Sequence, residues 1–542
     1  MKHFLLLFIT SFTILCSSQT KQNNINKLSS TAKIWGFLKY YHPKVAKGEI
    51  DWDKELLDIL PLVQNSKNKK ELSKIYINWI TSLGEIEICE NCTLVDNENY
   101  FGKNFDLDWI KDTNQFSQEL IEKLKFIEKN RFQGDHHYIS AIEGIGNLII
   151  NNEKEYPSYN WEDQNLRLLT LFRYWNYIEY FFPYKYQMDK DWDTVLEESV
   201  LNFLSPSTET AYHLALLELF SNTNDTHALF YTDLTNKYFK SYAIPGKSKI
   251  INNKVVLTQL LNNESETNNE WKIGDVILEV NGKKIKSILK NIDKYIHGSN
   301  SSAKLRNAAS KIYSGEGDSL KIKFERNGKT SIKKIKYKQF NKTTYKKEKW
   351  RIVDSNIGYI NMGAITKNDV QKVLDTLINT KAIIFDIRNY PRGTMYIIAN
   401  FLLEKPKEFV KALVPNLSYP GKFKWMSTIS CGTNNPKAYK GKVIILVNED
   451  TQSHGEFTTM VLQTAKKAVI IGSQTAGADG NVNHVTLPGD FYTYFTGIGI
   501  FYPDGRETQR IGIVPDIEVK PTIKGIKNGI DEVLEKAIEI AK

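Results

Sequence analysis

Cysteine is scarce: the 542 residues include 4 Cys, along with 6 Met and 9 His. So few cysteines exclude a disulfide-stapled scaffold, which would need them at far higher density. Cys89 and Cys92 form a single CxxC, "CENC", open to three readings: a tight disulfide, a redox pair or half of a metal site. Zinc needs a second ligand pair in register, so a local disulfide is the expected state and no metal or cofactor is expected. Cys431 is left over and expected to be buried. Long apolar runs are also missing beyond the N-terminus, which removes any later membrane helix from consideration, since a span takes about 20 apolar residues. Nor does one charge sign dominate, with 72 Lys+Arg against 62 Asp+Glu. The net +10 is diffuse except in "KTSIKKIKYKQFNKTTYKKEK", residues 329–349. Without a nucleic-acid motif beside it, that stretch is a solvated strand and linker, and no nucleic-acid partner is expected.

What is present is enough for about three or four domains of roughly 150 residues each, with apolar content to fill their cores. The chain opens with "MKHFLLLFITSFTILCSSQT", a basic start, an apolar stretch and small residues. This is the pattern of an export signal over residues 1–18, cleaved near Ser18–Gln19, which sends the mature protein to the periplasm or cell envelope. Cys16 offers an alternative, lipid attachment and membrane anchoring, although Leu15 before it is a poor match for the small residue such processing prefers.

An internal repeat follows. "KIWGFLKYYHP" from Lys33 resembles "RYWNYIEYFFP" from Arg173, and "DWD" recurs at Asp51 and Asp191, both with an offset of 140 residues. Aromatic residues at helical spacing point to a duplicated helical element whose stripes pack in a core and bind no ligand. Residues 19–160 form the first region and 161–240 a second helical segment. Alternating runs such as "KVVLTQLL" and "WKIGDVILEVNGKKI", with an Asn281–Gly282 turn, give a β-rich module over 241–340. Beyond a charged linker, "IGYINM", "AIIFDIR", "KVIILV" and "AVIIG" alternate with helical stretches, the signature of a covered α/β sheet over 350–542.

The chemistry centres on "TQSHGEF", residues 451–457, between strand "KVIILV" and a helix. Ser453 is either an ordinary helix cap, with Glu456 completing a capping box, or a nucleophile at a strand-to-helix turn. In the second case the free N–H groups of the helix start could stabilise an oxyanion. A nucleophilic serine needs a base. His454 is adjacent and points elsewhere, His136–His137 lack metal spacing and His484 sits in a loop. His227, in the polar turn "NDTHALF", is the better candidate, yet the residues alone leave several bases open.

The order of motifs resembles the tail-specific, or C-terminal processing, serine peptidase family in its tricorn-like branch. The resemblance rests on the D-x-H turn, "KIGDVILEVNGKKI" as a PDZ-like signature, "AIIFDIRNYPRG", "SHGE", "AVIIGSQTAGADG" and "GIVPDIEV". It implies a multidomain α+β chain: a helical N-terminal region, a PDZ-like β-rich module and an α/β crotonase-like (ClpP-like) peptidase core. The Ser–Lys branch is excluded because Ala478 stands where its lysine would be. The resemblance then implies Ser453 as nucleophile and His227 as base, with Thr226 as the hydroxyl before it. The supporting acid aligns with Gln509, a departure for which Glu507 could substitute. Backbone N–H groups of His454 and of the Arg392–Gly393 turn would form the oxyanion hole, with Arg392 in place of a glycine. The implied substrates are proteins or peptides, captured at a sheet edge of the PDZ-like module, whose groove a long insertion between its strands would alter. The expected function is an exported serine endopeptidase; alternatives are a catalytically decayed peptide-binding scaffold and, more remotely, a carrier of small apolar ligands.

Overall fold

The computed structural model describes residues 2–89, 92, 100–241, 243–260, 271–314, 317–337, 348–354 and 356–542, with side chains from residue 21 onward. The charged linker falls mostly outside these residues, as does the Cys16 side chain. The chain divides into two compact units, one made of residues up to 219 with 414–425 and 482–498, the other of 220–413, 426–481 and 499–542. Residues 19–160 thus share a unit with the helices that follow them. Among the described residues no helix is long and apolar enough to cross a membrane.

The second unit holds the β-rich module and the α/β core. Strands Gly246–Ile251, Lys254–Leu260, Val276–Val280, Ser319–Arg326 and Lys329–Lys336 form an antiparallel sheet in that order. Asn281 and Gly282 both have positive φ (51° and 77°) and close the expected two-residue turn, as do Asn327 and Gly328 (50° and 77°) in the next hairpin. The segment between the third and fourth strands carries helices Ile285–Ile292 and Ser301–Ala308.

The core sheet runs Ile517–Glu518, Ala468–Gly472, Lys442–Val447, Ala382–Asp386, Ile357–Asn361 and Trp350–Val353. All its pairings are parallel except that of the last strand. Its central strands are buried, Ala382–Asp386 throughout and Lys442–Val447 beyond Lys442, which is why they read as apolar runs without alternation. Helix Glu532–Ala541 packs Val533, Ala537 and Ala541 against Ile384, Ile444 and Ile471. At the strand end, Arg388 pairs with Asp386 (2.7 Å) and Asp531 (2.8 Å), and Tyr359 donates to Asp386 (2.8 Å). These contacts make "FDIRN" an ion-paired strand end.

In the first unit the repeat extends over three helices. Lys2–Tyr41, Trp52–Asn65 and Lys69–Ser82 correspond to Gln164–Phe181, Trp192–Leu204 and Glu209–Ser221 at the 140-residue offset. The recurring "DWD" has a separate task for each letter. Asp51 and Asp191 cap their helices, accepting from the N–H groups of Lys54 and Thr194. Each Trp locks its helix to the preceding one: Trp35 and Trp52 donate indole N–H to each other's carbonyl (3.0 Å both ways). Trp175 and Trp192 do the same at 2.9 and 3.1 Å. The second Asp of each copy pairs with a cation of the other copy, Asp53 with Arg173 and Asp193 with Lys33.

The two copies therefore face one another about an internal pseudo-dyad. Asn176 donates to the Ala32 carbonyl (3.0 Å) and lies so close to Gly36 that any side chain there would collide with it. Burial differs between the two ion pairs. Arg173 and Asp53 are 1% and 5% exposed, and Asp53 also accepts from Tyr156 (2.9 Å), whereas Asp193 is 47% exposed. Cys89 and Cys92 form the expected disulfide, and Cys431 is buried. Asp53→Ala should destabilise the first unit by about 1–3 kcal/mol, because it removes one buried partner of Arg173 and leaves that guanidinium with Glu153 (3.4 Å) and the Lys154 carbonyl (3.2 Å). Asp193→Ala, its counterpart across the dyad, should cost under about 1 kcal/mol. Urea denaturation followed by tryptophan fluorescence reads both, and equal losses would contradict the asymmetry.

Candidate active site

Strand Lys442–Val447 delivers the chain to a loop fixed by Thr451, which donates its hydroxyl to the Ile387 carbonyl (2.8 Å) and receives the Asn448 N–H (3.1 Å). Ser453 follows at the N-cap of helix His454–Gln463, with φ 55° and ψ −122°. An ordinary N-cap serine sits in the extended region; a positive φ is strained for any residue with a Cβ. Capping does not require that strain. The strain is held by two acceptors of the Ser453 N–H, the Ala478 carbonyl (2.9 Å) and the Glu456 carboxylate (3.2 Å).

Glu456 is 1% exposed and gathers the surrounding loop. It accepts from the Thr475 hydroxyl (2.5 Å), Gly477 N–H (2.8 Å) and Ala478 N–H (3.0 Å) in addition to Ser453. Burial outweighs these bonds and pushes its carboxyl above the usual range. Asp479, 2% exposed, accepts from Gly480 N–H (2.7 Å) through Oδ1, while Oδ2 has no hydrogen-bond partner among the described residues. Burial, and secondarily the charge of Glu456, pushes Asp479 well above the ordinary carboxylate value. Ala478, at the position of the missing lysine, is buried.

The turn after helix Glu209–Ser221 brings Thr226 to this same loop. Its hydroxyl lies 3.2 Å from the Ala476 carbonyl, two residues before the carbonyl that holds Ser453. Ser299 is completely buried and meets Thr226 twice more. Its N–H donates to Thr226 Oγ1 (2.8 Å), and its Oγ accepts the Thr226 N–H (2.9 Å). Gln509, 1% exposed, reaches the same Ser299 Oγ through Nε2 (3.5 Å). Glu507 sits in a hairpin whose backbone pairs with Phe501. His227 has the fully buried Asp225 carboxylate 3.6 Å from Nδ1, and the same oxygen accepts the His227 N–H at 3.0 Å. His297, buried nearby, is pushed down to about 3 by burial with Lys311 and Arg306 and stays neutral.

The "YPRG" turn adjoins the helix start. A Cβ on Gly455 would lie 3.8 Å from Pro391, and the Tyr390 ring is 6.0 Å from the His454 imidazole. Arg392 turns its side chain away to the Gly363 carbonyl (2.9 Å), while Gly393 takes φ 69°. His454 is partly buried, and burial lowers its pKa. His136, His137 and His484 belong to the other compact unit. Sequence reasoning missed Ser299, Asp479 and the buried state of Asp225. Only "NDTH" carried a hint, an acid two residues before the candidate base.

A profile for peptidase family S41 matches residues 356–519, and a PDZ profile matches residues 240–357. Residues 356–519 thus carry a peptidase family S41 domain. A Staphylococcus haemolyticus protein described as "Probable CtpA-like serine protease" is 27% identical over 203 residues, 34% of this chain and 40% of that one. The chain thus spans less than half the length of that relative. Two solved structures share the fold. Mature CPAF in complex with lactacystin matches with TM-score 0.55 and 14% identity over 70% of this chain and 98% of its own. Mature CPAF alone matches with TM-score 0.54 and 16% identity over 69% and 96%. The fold class expected from the sequence, helical N-terminal region, PDZ domain and S41 core, is the one observed.

Within this S41 core Asp479 makes a pH-dependent contribution. Its folded pKa is raised above the ordinary 3.8, so the unfolded chain ionises first and stability falls as pH rises through that value. Asp479→Asn removes this penalty. Its unfolding temperature at pH 8 should exceed that of the wild type by roughly 2–4 °C, and the gap should close by about pH 3, where both states are protonated. A gap independent of pH would contradict the assignment.

Proposed function

We propose that this chain is an exported serine endopeptidase that hydrolyses peptide bonds of protein or peptide substrates through an acyl-enzyme, with Ser453 as nucleophile and His227 as base. The observation that carries this reading is the strained, left-handed Ser453 at a helix N-terminus, whose N–H is held by the Ala478 carbonyl in addition to the Glu456 bond of a capping box. His227 takes the Ser453 proton as Oγ attacks the scissile carbonyl and returns it to the leaving amine. Backbone N–H groups of His454 and of the Arg392–Gly393 turn receive the oxyanion.

The buried Asp225 carboxylate offers negative charge to the imidazolium that forms, which answers the neutral Gln509 at the position of the family's acid. Of the two residues considered there, Gln509 is favoured over Glu507 by its burial and its bond to Ser299. The PDZ sheet has an edge strand, Gly246–Ile251, on which an extended peptide can add. Export is supported by the signal-like N-terminus and by a disulfide suited to an oxidising compartment; lipid attachment at Cys16 remains the anchored form of the same proposal.

The competing reading is a decayed peptide-binding scaffold, motivated by Gln509 and the missing lysine. A fluorophosphonate probe separates the two. Wild-type protein should label, Ser453→Ala should not, and His227→Ala should lose roughly four orders of magnitude in peptide hydrolysis. A folded wild type that never labels would establish the scaffold.

A further inference from the structure

The PDZ module reaches into the S41 core through the segment between its third and fourth strands. Ser299 and Asn300 form the N-terminal turn of helix Ser301–Ala308, with Asn300 as cap. Asn300 Nδ2 donates to the carbonyls of Thr475 (2.8 Å) and Arg510 (3.1 Å), on the two loops that bear the Glu456 ligands and Gln509. Arg306, one turn further, donates to the Glu449 carbonyl and to Gln452 Oε1, both at 2.8 Å, directly before Ser453. Arg510 Nε returns a bond to the Ser299 carbonyl (3.0 Å). This segment clamps the loops on either side of the nucleophile.

Ser299 stands at the centre of that clamp. Its Oγ takes the Thr226 N–H and the Gln509 amide, and the Thr226 and Ser299 hydroxyls lie 3.0 Å apart. The Thr226 hydroxyl has one proton for two acceptors, Ser299 Oγ and the Ala476 carbonyl (3.2 Å). The residue leading into His227 is thus held on both its N–H and its side chain. We infer that Ser299, supplied by the PDZ module, is a positioning residue of the peptidase site, linking Gln509 to Thr226 and so fixing where His227 stands. The inference rests on His227 being the base, and it gives the PDZ module a part in catalysis beyond holding substrate.

The test uses full-length protein with Ser299→Ala, Gln509→Ala and the double variant, measuring peptide hydrolysis, fluorophosphonate labelling rate and thermal unfolding. Ser299→Ala should lose up to ~10²-fold in kcat with KM nearly unchanged, as small displacements of a catalytic group do. Its labelling rate should fall in parallel. The double variant should be no slower than the worse single one, because both remove the same link. Wild-type labelling kinetics in Ser299→Ala with only a lower unfolding temperature would overturn the inference and leave the peptidase reading intact. A wild type that does not label overturns both. Should Ser299→Ala not fold, Gln509→Ala alone decides: unchanged kcat would overturn the link.

Discussion

The site depends on one buried carboxylate. Glu456 binds four donors from two places in the chain: the Ser453 N–H and, in the 475–478 loop, the Thr475 hydroxyl and the N–H groups of Gly477 and Ala478. Together with the Ala478 carbonyl it holds the left-handed backbone of Ser453, and it ties the 475–478 loop to the helix start. That loop in turn offers carbonyls to Thr226 and to Ser453. A charge this deeply buried is destabilising on its own, and it persists because it is fully hydrogen-bonded and because the structure built around it carries function. Asp479 adds a second acid beside it, held toward its neutral form, so the pair avoids two bare charges in one apolar enclosure.

The domain boundary is a poor guide to where the chemistry is assembled. A PDZ module is usually understood through its sheet edge, yet here its helix 301–308 and the turn before it supply Ser299, Asn300 and Arg306 to loops of the core. The PDZ module and the core thus share one connected set of hydrogen bonds. These contacts are largely buried and have little freedom to shift without losing a partner.

Much of this was legible in the sequence. The core strands announced themselves as apolar runs because both faces are covered, and the PDZ hairpins through Asn–Gly turns whose positive φ few other residues accept. The repeat could be read from "DWD", each letter of which proved to have its own contact. Ser453 stood out by its place between strand and helix. Ser299 and Asp479 were not legible, for a physical reason. Ser299 meets its partners 73 and 210 positions away, and Asp479 is defined by burial that no local pattern encodes. A serine in "HGSNSS" reads as a helix start, and that is also what it is; its second role exists only in three dimensions.

The repeat makes the same point from the opposite side. The third helix of the first copy ends in the same turn as that of the second: Gly84 N–H bonds to the Thr81 carbonyl (3.1 Å) as Asn224 N–H bonds to that of Ser221 (3.2 Å). Gly84 and Asn224 are both left-handed, at φ 95° and 49°. Where the second copy continues Asp225–Thr226–His227, the first has Glu85–Ile86–Glu87. The helices, the tryptophan locks and the turn are all kept. The imidazole is not, so in this fold the geometry of the turn and the identity of the residue it displays answer to separate constraints.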